Sequence, residues 1–354
     1  MQTRQAYLWR DKSYSAVGTE TLDVRVRDPI SRLVIVFGVT VTTGARLAPI
    51  SALFPKVALV DGSDVLMSLS GTQIAGIAHL DKIHNPAMFN SNNINTTDYG
   101  NLVINFGRNK WDKTLALDPT KFSNLQIQIS YDWKAVQAAA SGCDFAIIAD
   151  VMEGLSGAPT GFLMKKEIKS WTAASGTHEY TSLPRDYKYR RLFLQARTIQ
   201  VGVGAHWSNA KLSEDNDKRI PFDVIVDDQI AENAIDYGII SEFGGGNLTN
   251  GSYPLIVAPT YAPAFILCEH ADYTGIASNK QDGGYMLPKT NGGADMYSGI
   301  CQGLCPHGLV AFDFGDRDNP DDWYDPTKVG DLQLDVTGAG SHAIQLVLEQ
   351  VRTY

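Results

Sequence analysis

The sequence has little of what catalysis and metal binding most often use. Four cysteines occur in 354 residues, and only Cys301 and Cys305 stand close together. With His307 they would supply three zinc ligands. A structural site needs a fourth, which the fold would have to bring from Cys268 or His270, so buried or incidental thiols are the simpler reading. None of the seven histidines (His79, His84, His178, His206, His270, His307, His342) lies at helical metal-ligand spacing from another. Gly154-Leu155-Ser156-Gly157 lacks the closing glycine of a nucleophile elbow. Gly202-Val203-Gly204 is a fragment of a dinucleotide fingerprint with no βαβ pattern around it. No catalytic, cofactor-binding or metal-ligating residue is therefore assigned, and no cofactor is expected.

Basic charge is also short. Lys and Arg number 30 against 39 Asp and Glu, a net charge of -9, so a surface devoted to neutralising phosphates is not expected and nucleic acid is not a direct partner. No apolar run approaches the ~20 residues that cross a bilayer as a helix. The start, Met1 to Arg10, has no apolar segment of the secretory kind, so the expectation is synthesis in a cytoplasm without disulfides. Helical periodicity is scarce: the candidates are Asp132 to Ala140, Gln73 to His79 and Gln229 to Tyr237.

What the chain does contain is a repeat. Asp118-Pro119-Thr120-Lys121 precedes Leu125-Gln126-Ile127-Gln128-Ile129, and Asp325-Pro326-Thr327-Lys328 precedes Leu332-Gln333-Leu334-Asp335-Val336. A Phe-Gly pair stands upstream of each, Phe106-Gly107 and Phe314-Gly315. Each Asp can accept from the free N–H groups that follow, and each Pro suits a first helical position, so both motifs predict a turn or a short helix feeding a strand. Alternation then points Leu125, Ile127 and Ile129 to one face, and Leu332, Leu334 and Val336 likewise.

Fainter matches keep the same order. Arg32-Leu33-Val34-Ile35 answers Arg191-Leu192-Phe193-Leu194. Asp64-Val65-Leu66 with Gln73-Ile74-Ala75 answers Asp223-Val224-Ile225 with Gln229-Ile230-Ala231. Strands are expected over 33–41, 57–60, 65–69, 102–106, 145–149 and 343–348, with a hairpin turn at Asp61-Gly62. Asn85 to Asn101, Gly244 to Gly251 and Gly275 to Gly303 read as long loops. The expected organisation is an N-terminal arm over 1–30, a first β unit over 31–170, a linker over 171–187 and a second unit over 188–354. Many short strands with Gly- and Pro-bearing turns make the fold all-β, with few short helices, and the pattern runs through twice.

Two tandem, similarly ordered β units joined in one acidic chain resemble the double jelly-roll major capsid proteins of tailless icosahedral viruses, the lineage of adenovirus hexon and of many membrane-containing bacteriophages. That resemblance implies two eight-stranded jelly rolls and a structural subunit with no active site. It implies a homotrimer, a pseudo-hexameric capsomer, that meets neighbouring capsomers in an icosahedral shell. The virion is the implied location, after synthesis in the host cytoplasm, and minor capsid or vertex proteins and an internal membrane are the further partners. By the same resemblance the loops at Asn85 to Asn101 and Gly275 to Gly303 are tower or inter-subunit elements, and the arm lies at the inner face. The physics fits: three copies of a twofold repeat offer six similar units to sixfold positions. The alternative is a two-domain β-sandwich carbohydrate-binding or glycan-processing protein, since jelly rolls also serve as lectins. Asp313 to Asp325 is the one dense acidic run. It lacks the sixth-position glycine of a calcium loop and carries Thr327 in place of the bidentate glutamate, so it reads as a solvated loop or a subunit contact.

Overall fold

A computed structural model of the chain describes residues 2–42, 45–81, 90–91, 96–248, 254–270, 277–289 and 295–354. The first half runs β1 (Gln2–Tyr14), β2 (Gly18–Asp23), β3 (Ile30–Val41), β4 (Lys56–Asp61), β5 (Asp64–Leu69), helix α1 (Gly71–Leu80), β6 (Asn90–Ser91), β7 (Thr96–Asn105), β8 (Leu125–Tyr131) and β9 (Gly142–Glu153). β-Branched runs and the alternation of buried and part-exposed residues, seen along β8, make these strands. Gly62 turns β4 into β5 at φ +60, a conformation that glycine adopts without strain.

The second half begins with β10 (Gly161–Thr172), β11 (His178–Ser182), β12 (Tyr189–Gln195), β13 (Trp207–Glu214), β14 (Arg219–Ile225) and helix α2 (Val226–Tyr237). Six strands follow: β15 (Ile240–Leu248), β16 (Leu255–Ile256), β17 (Pro259–His270), β18 (Ala277–Gln281), β19 (Tyr285–Lys289) and β20 (Asp295–Pro306). It closes with β21 (Leu309–Asp313), β22 (Leu332–Gly338) and β23 (Ala343–Thr353).

The sheets repeat. In the first half β1-β9-β3-β7 faces β2-β8-β4-β5, and in the second β10-β23-β12-β21 faces β11-β22-β13-β14. These are two tandem eight-stranded jelly rolls, each with one short helix after its fifth strand. The inner sheets touch where Ser68 of β5 bridges Lys166 of β10 in parallel, so the two join into one eight-stranded sheet. Both Asp-Pro-Thr-Lys motifs form one-turn helices, Pro119–Lys121 and Pro326–Lys328. Asp118 Oδ1 accepts from the Thr120 N–H at 3.0 Å, and Asp325 Oδ1 from the Thr327 N–H at 3.1 Å.

Several expectations change. The arm over 1–30 contains β1 and β2, and the linker over 171–187 contains the end of β10 and all of β11. β1 pairs with β9 as β10 pairs with β23, and β2 pairs with β8 as β11 pairs with β22. Polar outer residues masked their alternation. The helix expected over Asp132 to Ala140 is a single turn, Trp133–Ala135. There the Gln137 side chain bonds both the N–H and the carbonyl of Thr42, and tertiary bonds of this kind override helical propensity. Within Asn85 to Asn101, β7 begins at Thr96; most of residues 82–95 lie outside the described residues. Gly244 to Leu248 is strand, part of β15, and Gly275 to Gly303 carries β18, β19 and most of β20. Glycines weakened the strand signal, but backbone pairing to β20 keeps Gly244, Gly245 and Gly246 in the ladder.

Candidate assembly surfaces

The two rolls meet over α1. Ser70 opens this helix with a reciprocal cap: its hydroxyl accepts from the Gln73 N–H, and the Gln73 side-chain oxygen accepts from the Ser70 N–H at 2.8 Å. Its small residues let it lie close to its neighbours. A Cβ added at Gly76 would stand 2.4 Å from Leu309 Cδ1 and 2.8 Å from the Pro306 carbonyl, both in the second roll. Phe193, Leu309, Ala311 and Val347 of the second roll join the same apolar cluster as Ile74, Ile77 and Leu80 of α1. One face of the β10-β23-β12-β21 sheet is therefore covered by the first roll.

Charged groups are sealed in this contact. Glu349 accepts from Arg191 Nε at 2.5 Å, and Arg190 Nη1 and Lys165 Nζ lie 3.2 Å from it. Arg191 also binds Asp81 at the end of α1, and Arg190 stands 3.7 Å from the same carboxylate. All five side chains are almost wholly buried. Burial pushes the Glu349 carboxyl up, but Arg191, Arg190 and Lys165 together outweigh it and hold the group below the usual carboxylate range. Burial pulls Arg191 down, and Asp81 with Glu349 reverses this to raise it well above its ordinary value. Asp81 ends a helix where a negative charge is unfavourable, and the two arginines compensate.

The first roll carries a matching pair whose carboxylate is buried but whose cations reach water. β3 sets Arg32 opposite Asp150 as β12 sets Arg191 opposite Glu349, and Arg32 bonds Asp150, with Lys110 Nζ 3.3 Å away. Arg32 and Lys110 are partly exposed. On the same sheet face Val36 and Tyr99 are exposed and Val34 and Ile148 half-buried. α2 is the counterpart of α1 and is mostly uncovered: only Val226, Gln229 and Ile230 are buried, and Ile235 is 85% exposed. It carries Asp227, Asp228, Glu232 and Asp236.

The sites considered from sequence do not converge. Cys301 sits in a small cluster with Met286, while Cys305 belongs to the core of the second roll; burial raises both thiols above their ordinary value. His307 lies against His79, with ring centroids 6.2 Å apart. The side chains of Cys268 and His270 lie outside the described residues. Among the described residues no group of three His, Cys, Asp or Glu side chains is placed to hold a metal. In the acidic loop Asp316 accepts from the Asp318 N–H, Asp322 from the Asn319 amide and Asp313 from the Tyr237 hydroxyl, so these carboxylates are spent on local bonds. A groove of about 520 Å³ between β1 and β2 is lined by Tyr7, Trp9, Asp23 and Arg25 among others. It holds a single carboxylate, where a glycosidase uses two.

Sequence reasoning missed the buried cluster. Its signal was an apolar strand ending in an acid, Leu346-Val347-Leu348-Glu349, repeated as Ile147-Ile148-Ala149-Asp150. No helix among the described residues is long and apolar enough to cross a membrane.

No family model matches this sequence, and no curated protein does. Solved structures do match its fold. The major capsid protein of bacteriophage PM2 aligns over 100% of this chain and 98% of its own, at 10% identity and a TM-score of 0.59. A chain of Sulfolobus Turreted Icosahedral Virus aligns over 100% of this chain and 91% of its own, at 14% identity and a TM-score of 0.61. One from the PBCV-1 virus capsid covers 99% of this chain and 93% of its own, at 9% identity and a TM-score of 0.57. At these identities the likeness is one of fold.

Proposed function

We propose that the chain is a viral major capsid protein, a structural subunit that forms trimeric, pseudo-hexameric capsomers and then an icosahedral shell. The observation that carries this reading is the full-length agreement in fold with capsid subunits, over both rolls and in their order. An assembly role also suits a chain whose two halves present similar surfaces, one pair covered and one pair open. On this reading the chain divides into units over 2–153 and 161–353, a division that the strand pairing supports, with the short connection between Glu153 and Gly161 as the joint. β15 to β20 are inserted between α2 and β21, where the first roll has only residues 81–95 between α1 and β7. This insertion is the candidate for the outward-projecting part of a capsomer. The chain acts without a catalytic site, its location is the virion, and its main partner is itself.

Light scattering on the purified protein, followed by electron microscopy, tests the reading. The expected result is a particle of three chains that forms shells or sheets of hexagonal outline as concentration rises. A monomer at every concentration overturns it. Specific retention on a glycan array by such a monomer would establish the carbohydrate-binding alternative instead.

A further inference from the structure

We propose that α2 and the β14 edge of one copy dock on the outer face of the β1-β9-β3-β7 sheet of the next copy. The contact repeats between chains what α1 and β5 make with the second roll inside one chain. It rests on the capsid-subunit reading and names the surfaces that reading requires.

The correspondence is fixed by strand pairing. Arg32 stands opposite Asp150 and Asn105, and Arg191 opposite Glu349 and Asp313. Counting from these partners, Val34 occupies the place of Phe193, Val36 that of Gln195, Asn101 that of Leu309 and Ile148 that of Val347, and Tyr99 lies one step farther along β7, level with the turn that precedes β21. The shared Gln-Ile-Ala motif likewise sets Ile235 of α2 in the place of His79 of α1. Inside the chain these positions are closed: His79 is 8% exposed, and Phe193, Gln195, Leu309 and Val347 are buried. At the open surfaces the same positions hold Ile235 and Val36, 85% and 41% exposed, and Tyr99 beside them on β7 is 61% exposed. Ile235 and Tyr99 stand in water, each on the open counterpart of a surface that is covered inside the chain.

The edges and charges agree. β5 is bridged to β10, whereas β14 and β1, their counterparts, each end a sheet with no strand beyond among the described residues. Unpaired edges invite pairing with another chain. α2 is acidic, with Asp227, Asp228, Glu232 and Asp236, while the receiving face carries Arg32 and Lys110 around Asp150 and Arg10 stacked on Tyr7 of β1. The contact is heterologous, with different surfaces on the two copies, so it either closes a ring or runs on. Internal and inter-chain junctions then alternate around one ring of three chains.

Co-expressed Tyr99→Cys and Ile235→Cys proteins, treated with a short bis-maleimide, test this. The native Cys143, Cys301 and Cys305 are buried, and wild-type protein carried through the same treatment sets the background. The expected result is a crosslinked dimer from the mixture and none from either variant alone. A chain carrying both substitutions should give a ladder ending at three. Ile235→Glu should lower the particle from three chains to one while its circular dichroism spectrum stays that of wild type. If wild-type protein is a trimer but the mixture does not crosslink, or Ile235→Glu leaves the trimer intact, the proposed surface is wrong and the capsid reading stands. If wild-type protein is a monomer throughout, both fall.

Discussion

The two jelly rolls share strand order, helix position and turn motif and both bury the carboxylate of an arginine–carboxylate pair, yet one buries the arginine too and the other leaves it partly in water. In the second roll Arg191 and Glu349 are sealed under α1, with Arg190, Lys165 and Asp81 added. In the first, Arg32 and Asp150 occupy the same ladder positions with Lys110 beside them. The difference is not in the roll but in what covers it. A duplicated unit thereby shows two states of one surface, and the closed one is a guide to how the open one is completed.

The largest expected effect comes from breaking the closed state. Glu349→Gln leaves Arg190, Arg191 and Lys165 buried with Asp81 as the sole carboxylate, at a cost of about 3–5 kcal/mol in folding stability. Asp150→Asn in a monomer should cost only about 1–2 kcal/mol, because water screens Arg32 and Lys110. Urea unfolding of both variants checks this, and equal losses would show that cover is irrelevant. The acid response should differ too. The Glu349 carboxyl is held below its unfolded value, so its contribution is present above the usual carboxylate range and lost as pH falls through the folded value. The urea midpoint of wild type should therefore drop between about pH 6 and about pH 3 more steeply than that of Glu349→Gln.

A smaller effect separates the two helices. Gly76→Ala forces a methyl toward Leu309 Cδ1 and the Pro306 carbonyl, and overpacking of this kind costs about 1–3 kcal/mol. Glu232 holds the matching place on α2 and is exposed, so Glu232→Ala should leave monomer stability within about 0.5 kcal/mol of wild type. A loss at Glu232 equal to that at Gly76 would mean that the α2 face is already covered within one chain.

Much of this comparison was legible before any coordinates. The paired Asp-Pro-Thr-Lys turns, the Leu125 to Ile129 and Leu332 to Val336 strands and the Gln-Ile-Ala helices are each set by local chemistry, which a sequence displays. β1 and β11 were not legible, because Arg4, Arg10 and Lys12 in the one and His178 and Glu179 in the other give little inward apolar rhythm, and only pairing to β9 and β22 makes them strands. The Gly244 to Gly246 run hid β15 for a related reason, since glycine supplies a ladder with no side chain to read. The buried charges were hidden because long-range packing decides whether an arginine at a strand start faces water or a helix from the other roll. Arg32 and Arg191 look alike in sequence and differ only in their neighbours.

The smallest effect tests whether context acts even on the motif most nearly identical in the two halves. Asp118 and Asp325 each accept from the threonine two residues on, at 3.0 and 3.1 Å from its N–H and at 2.7 and 2.6 Å from its hydroxyl. Loss of such a cap costs about 0.5–2 kcal/mol. Asp118 is buried, and its own N–H donates to the Tyr354 hydroxyl oxygen at 2.5 Å, so water cannot readily replace what Asp118→Ala removes. Asp325 is partly exposed, and water can satisfy Thr327 when Asp325→Ala empties the site. Asp118→Ala should therefore fall near the upper end of the range and Asp325→Ala near the lower, with Asp→Asn milder at both because an acceptor remains. Thermal unfolding of the four variants resolves the order. Equal losses would assign the whole value of the motif to its local turn. The expected inequality would place part of that value in the packing around it, as the two arginine–carboxylate pairs do on a larger scale.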